Sequence, residues 1–217
     1  MIKKVYLFRH GETDWNKIGR LQYHTDIDLN ETGILQAKIN ANTLKDKGIQ
    51  HIYSSPLKRA YKTGKILADL INVKIEIVDN LKEVNGGSWS GKTKTEVKEL
   101  LGKDNYEKFF HSRNEMLDFR FPDGETKLEA RNRIYNCIID ICKNTPYNTI
   151  GISSHGFVLT EFTRATNYKD DDTLKNCEYI EAEFHGKKYK QKELYNYCNK
   201  FIKNIDVMYN SDDNINI

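Results

Sequence analysis

With 217 residues, 38% of them hydrophobic, the chain can bury one sizeable core, and a single domain over residues 1–217 is expected. Its 34 basic residues against 31 acidic leave a net charge of +3, which gives no case for nucleic acid as a partner and makes any anion binding local. The four cysteines, Cys137, Cys142, Cys177 and Cys198, form no C-x-x-C pair and have no zinc-like spacing with histidine, so they read as reduced, mostly buried thiols.

The chain opens on Val5-Tyr6-Leu7-Phe8, four consecutive apolar residues suited to a strand buried on both faces, as in a parallel sheet between helices. No charged-then-apolar leader precedes it and no apolar run approaches membrane-spanning length, so a soluble cytoplasmic protein without a membrane partner is expected. Arg9-His10-Gly11 follows at the strand's carboxyl end, the edge where open α/β sheets bind ligands. Thr13 and Asn16 add neutral donors within a turn or two of the imidazole. Residues 19–29 are polar and irregular and extend the mouth of this site. Asn30 is placed to cap a helix striped by Ile34, Ala37, Ala41 and Leu44, with Gly48 at its end. Ile49 to Tyr53 is a second strand.

At Ser54-Ser55-Pro56-Leu57-Lys58-Arg59, Ser55 reads as a cap and Pro56 as the first position of a helix whose buried face runs through Leu57, Ala60, Gly64, Leu67 and Ala68. Arg59 lies off that face, in a first turn where a cation opposes the helix dipole and wants an anionic partner. Val73, Ile75 and Ile77 alternate as a third strand near the sheet edge. A loop with three glycines follows, carrying Glu83 in its middle. From Thr93 to about Met116 two charged helices are predicted, each opened by a capping box, Thr93 with Glu96 and Asp104 with Glu107. With the turn that follows, they make a helical lid insertion over about 93–121. Thr126 with Glu129 opens a helix through Leu128, Arg131, Ile134, Ile138 and Ile141, and Thr149 to Ser153 is a strand leading directly into Ser154-His155-Gly156 and another helix. Ile180, Ala182 and Phe184 alternate as a last strand, and Leu194, Tyr197, Cys198, Phe201, Ile202 and Ile205 suggest an amphipathic C-terminal helix over about 191–206.

Five stretches carry a resemblance: Arg9-His10-Gly11-Glu12-Thr13 with Asn16, Ser54 to Ala60, Leu81-Lys82-Glu83 before Gly87 to Gly91, Pro122 to Thr126, and Ser154-His155-Gly156. In this order and spacing the chain resembles the histidine phosphatase, or phosphoglycerate mutase-like, superfamily over roughly residues 2–190. The resemblance implies a three-layer α/β/α sandwich with a mainly parallel central sheet, in agreement with the alternation of strands and helices. It also implies roles: His10 as phosphate-accepting nucleophile, Arg9, Arg59 and His155 as the phosphate pocket, Asn16 as a further phosphate contact, and Glu83 as acid/base. Gly156 and Tyr23 fall at the substrate mouth. The family usually has glycine where this chain has Tyr23, and often proline where it has Asp28.

Such residues suit phosphoryl transfer, in which charge spreads over three equatorial oxygens and fixed cations and donors do most of the work. The scheme needs no metal and no cofactor. His10, His155 and Glu83 are also a zinc-like set, but two adjacent arginines would repel a cation and hold an oxyanion. The implied activity is a metal-independent phosphomonoesterase acting on a small phosphorylated metabolite. The alternatives are a 2,3-bisphosphoglycerate-dependent phosphoglycerate mutase and a non-catalytic phospho-ligand binding module. Mutases of the family carry a basic pair in the insertion, whereas here Arg113 and Arg120 stand apart; a module that only bound would not need Glu83. A homodimer stays open.

Overall fold

The computed structural model describes residues 2–166, 174–185 and 198–204. The strands are β1 (Ile2–Arg9), β2 (His51–Ser54), β3 (Ile75–Ile77), β4 (Thr149–Ser154), β5 (Tyr179–His185) and β6 (Cys198–Asn204). They form one sheet in the order β3-β2-β4-β1-β5-β6. The first four are parallel to one another, and β5 and β6 add in antiparallel sense. The helices are α1 (Asp14–Lys17), α2 (Glu31–Leu44), α3 (Lys58–Ile71), α4 (Lys94–Leu101), α5 (Lys103–His111), α6 (Lys127–Asn144) and α7 (Gly156–Ala165).

The apolar run in β1 separates the two cores by strand alternation. Val5 and Leu7 join Ile134, Ile138 and Phe162 on one face, while Tyr6 and Phe8 join Ala41, Leu44 and Leu67 on the other. Helices therefore cover both faces of an α/β sheet, as expected. Because β1 to β4 are parallel, their carboxyl ends share one edge. The loops that leave it carry Arg9 and His10, then Ser55 and Arg59, then Glu83, then His155.

Several local expectations change. The helix expected from Pro56 begins at Lys58, and its N-cap Leu57 makes no side-chain cap bond. Ser55, the intended cap, has its Oγ 2.8 Å from His155 Nε2. The Thr93 and Thr126 capping boxes are present, but α5 starts from Gly102 with no side-chain cap, so Asp104 lies inside its first turn. The C-terminal helix over about 191–206 is overturned where it can be judged: residues 198–204 form β6, paired antiparallel with β5, while 191–197 and 205–206 lie outside the described residues. Cys198, Phe201 and Ile202 are spaced for a helix, but the open edge of β5 supplies backbone partners that decide for the strand. No helix among the described residues is long and apolar enough to cross a membrane.

Between α4 and α6 the chain is bound from below. Phe109 is fully buried and stacks on Phe157 of α7 at 5.5 Å, with Phe119 and Phe121 edge-on to it. The carbonyls that end α5 meet buried cations, as the negative end of a helix dipole favours. Lys127 Nζ donates to Phe109 O at 2.8 Å and to Ser112 O, Arg164 donates to Phe110 O at 3.0 Å, and Arg131 donates to Arg113 O. All three cations surround Glu161, itself fully buried, with Arg131 and Arg164 each 2.7 Å from its carboxylate. Burial lowers the Lys127 ammonium to about 8.

Candidate active site

The loop after β1 is fixed before any side chain is considered. Gly11 and Gly33 bring the loop and the first turn of α2 backbone to backbone: a Cβ on Gly11 would stand 2.4 Å from Gly33 O, and one on Gly33 2.0 Å from Glu12 O. Glycine is required here for close approach and not for a left-handed backbone. Gly11 N–H donates to Thr63 Oγ1 of α3 at 3.0 Å. His10 is 3% exposed, and its Nδ1 lies 2.7 Å from Gly11 O. A carbonyl can only accept, so Nδ1 carries the proton of the neutral ring and Nε2 keeps its lone pair.

Around that ring stand the other predicted groups. The His155 ring is 5.3 Å from it, centroid to centroid. Arg9 donates through Nη1 to Leu174 O at 2.6 Å, and its guanidinium lies against Gly156, where a Cβ would come within 3.1 Å of it. Arg59, expected off the buried face of its helix, is 1% exposed and donates to Thr25 O at 2.8 Å and Tyr23 O at 2.7 Å. Three buried nitrogens of this group, Arg9 Nε, Arg59 Nε and His155 Nδ1, have no partner among the described residues. Leaving one such atom unpaired costs about 1–3 kcal/mol, more for a charged group, so three together call for an acceptor-rich ligand.

The electrostatics agree. His10 is held well below the ordinary imidazole value of 6.5 by burial first and then by Arg59 and Arg9. His155 is lowered in the same way, by burial, Arg59, His10 and Arg9. Burial also lowers Arg59 to about 10, offset in part by Glu83. As pH falls below about 6.5 the unfolded histidines take up protons that the folded ones refuse, so stability falls with pH in that range. Thermal melts from pH 7 to about 5.5 should show a declining midpoint, and a smaller decline in His155→Gln; an equal decline in both would remove His155 from this account.

Glu83 reaches the site from the loop after β3. Its Oε1 accepts from Val84 N at 3.0 Å and Val158 N at 3.1 Å, and its Oε2 from Phe157 N at 3.2 Å. The last two are orphan N–H groups in the first turn of α7, where a carboxylate is favoured. Asn16 forms the amino-terminal capping box of α1 with Thr13, and its Oδ1 also takes a bond from Asn176 Nδ2 at 3.3 Å. The same Asn176 amide donates to His10 O at 3.0 Å. Tyr23 holds φ +46, the left-handed region that favours glycine, and its ring packs on Phe121 at 5.1 Å. Gly86 accommodates it, since a Cβ there would lie 2.2 Å from the ring.

All eight predicted residues thus lie about one sheet edge. Sequence reasoning missed Asn176, Ser55 as the partner of His155, and Thr63. Asn176 precedes β5, and because β5 is antiparallel its amino end reaches the same edge as the carboxyl ends of β1 to β4. Knowing the sense of that strand would have pointed to it. Among the described residues no group of three or more His, Cys, Asp or Glu side chains is placed to hold a metal ion.

Comparison with known proteins places this geometry in context. The family model described as "Histidine phosphatase superfamily (branch 1)" matches residues 5–197. Phosphoserine phosphatase 1 of Hydrogenobacter thermophilus is 35% identical over 152 residues, 70% of each chain. A probable phosphoglycerate mutase of Yersinia pestis is 33% identical over 161 residues, 72% of this chain and 71% of its own. Among solved structures, a phosphoserine phosphatase mutant from Entamoeba histolytica in complex with phosphoserine is similar at a TM-score of 0.69 and 30% identity, over 84% of this chain and 91% of that one.

Proposed function

Because the chain belongs to branch 1 of the histidine phosphatase superfamily, we propose that it is a metal-independent phosphomonoesterase of small phosphorylated metabolites, with His10 as the phosphoryl acceptor. The observation that carries the reading is the set of three unpartnered buried nitrogens on Arg9, Arg59 and His155 beside a neutral His10. A phosphoryl group offers oxygens to the two guanidinium N–H groups, and to His155 Nδ1 in the tautomer whose Nε2 accepts from Ser55, and its transition-state charge is what fixed cations stabilise most.

In the proposed reaction, Nε2 of His10 attacks phosphorus in line with the ester oxygen. The N–P bond forms as the P–O bond to the alcohol breaks, and protonated Glu83 gives its proton to the leaving oxygen. Glu83 then takes a proton from water, whose oxygen attacks phosphorus, and the P–N bond breaks to release inorganic phosphate and neutral His10. The proton on Nδ1, directed at Gly11 O, is retained throughout.

The substrate class follows the relatives' names, so O-phosphoserine heads the panel of monoesters to test. Hydrolysis should proceed undiminished in excess chelator; loss of activity that only added metal restores would overturn the reading. The mutase alternative is favoured by the Yersinia relative. Against it, Arg120 is already tied to Gly124 O at 2.9 Å and to Glu129. Incubation with 3-phosphoglycerate, with and without 2,3-bisphosphoglycerate, separates the two: a phosphatase releases inorganic phosphate and a mutase returns an isomer.

A further inference from the structure

Arg133 of α6 takes no part in the reaction above, yet its bonding is saturated. A guanidinium has five N–H donors, and each finds an acceptor. Nε and Nη2 grip the two oxygens of Glu125 at 2.7 and 2.8 Å. Nη1 donates to Asn80 O at 2.9 Å and Lys82 O at 3.0 Å, and Nη2 to Glu83 O at 3.1 Å. Three of the five bonds therefore end on backbone carbonyls of the short stretch that delivers Glu83. Glu125 holds the other side of the same residue: its Oε2 accepts from Asn85 N at 2.8 Å, and its own N–H donates to Asn85 O at 2.9 Å. The Glu83 carbonyl has a second neighbour in His24 Nε2 at 2.7 Å.

We propose that the Arg133–Glu125 pair is the positioning device for Glu83, fixing the backbone on both sides of it so that the carboxyl group meets the leaving oxygen. The inference rests on the acid/base role given to Glu83 above. Only arginine fits the task. A lysine would keep the attraction to Glu125, but its three donors radiate from one point and cannot serve a carboxylate and three carbonyls in one plane. Glu83 itself also accepts from N–H groups of α7, so a shift of its loop would change the angle of the carboxyl group against those donors.

A residue acting through a general acid shows itself in leaving-group dependence. O-phosphoserine expels an alkoxide that must be protonated, whereas p-nitrophenyl phosphate expels a phenolate that needs no proton. In Arg133→Lys, kcat/KM for O-phosphoserine should fall by about 10²-fold and that for p-nitrophenyl phosphate by less than about threefold. Both are measured on one sample, so a reduced folded fraction lowers them alike and cancels in the ratio. Parallel loss on the two substrates, or loss on neither, overturns the proposal. In a Glu83→Gln background the Arg133 substitution should add little further loss on O-phosphoserine, and a full additional loss would place its action elsewhere. Should Glu83→Gln leave O-phosphoserine hydrolysis intact, the role of Glu83 has failed first, and the proposal falls with it.

Discussion

His10→Ala should reduce turnover of every phosphomonoester by on the order of 10⁶-fold, the scale seen when a covalent nucleophile is removed from an otherwise intact site. The geometry leaves no substitute at that place. His155 is the only other imidazole against the His10 ring among the described residues, and its Nε2 is engaged with Ser55 Oγ at 2.8 Å. Arginine is not a nucleophile at any ordinary pH. The variant should still bind phosphate or vanadate, because Arg9, Arg59 and His155 are untouched, so loss of turnover with retained ligand binding is the full expected pattern. Activity within tenfold of the parent would remove His10 from the mechanism. Because burial and the two arginines hold the His10 imidazole well below its ordinary value, modest acidification should not itself silence the nucleophile, once substrate ionisation is corrected for.

Glu83→Gln is expected to act on both halves of the reaction but unequally on different substrates. Loss of the proton donor should cost about 10²- to 10⁴-fold on O-phosphoserine. With p-nitrophenyl phosphate the first step needs no proton, so the phosphoenzyme forms and then waits for a water that has lost its base. A burst of p-nitrophenolate equal to the enzyme concentration, followed by slow steady turnover, is therefore predicted, with a phosphohistidine that can be isolated. Absence of both the burst and the selective loss would move the acid/base role away from Glu83. The amide also cannot accept at its nitrogen, which leaves at least one of the N–H donors of Val84, Phe157 and Val158 without its present partner.

Much of this site is legible in the chain because its parts follow strand ends. Arg9-His10-Gly11 and Ser154-His155-Gly156 each follow a short apolar run, and a parallel sheet places all such ends together. Arg59 was legible as a cation in an unfavourable helix position, and its burial resolves that conflict: it is held by the carbonyls of Tyr23 and Thr25. What could not be read was pairwise. Ser55 looked like a helix cap because capping chemistry and histidine recognition need the same hydroxyl, and only the fold shows that His155 stands opposite it. The grip of Arg133 on the loop spanning Asn80 to Glu83 joins segments about fifty residues apart with no shared pattern. The end of the chain misled for a different reason: Cys198, Phe201 and Ile202 keep helical spacing, and the edge of β5 that makes this stretch a strand is invisible until the sheet is assembled.

The place of β1 in that sheet also governs when the site comes into being. Val5 has its two neighbours at Ile150 and Ala182, so β1 stays unpaired on both sides until β4 and β5 have been made. Pairings this distant in sequence slow folding and expose an apolar strand to other chains meanwhile. No fragment ending before β4 can gather His10 with His155, and nascent chains of that length should be inert toward phosphoesters and prone to capture by chaperones. Hydrolytic competence thus waits for β4, the last parallel strand, to pair with β1.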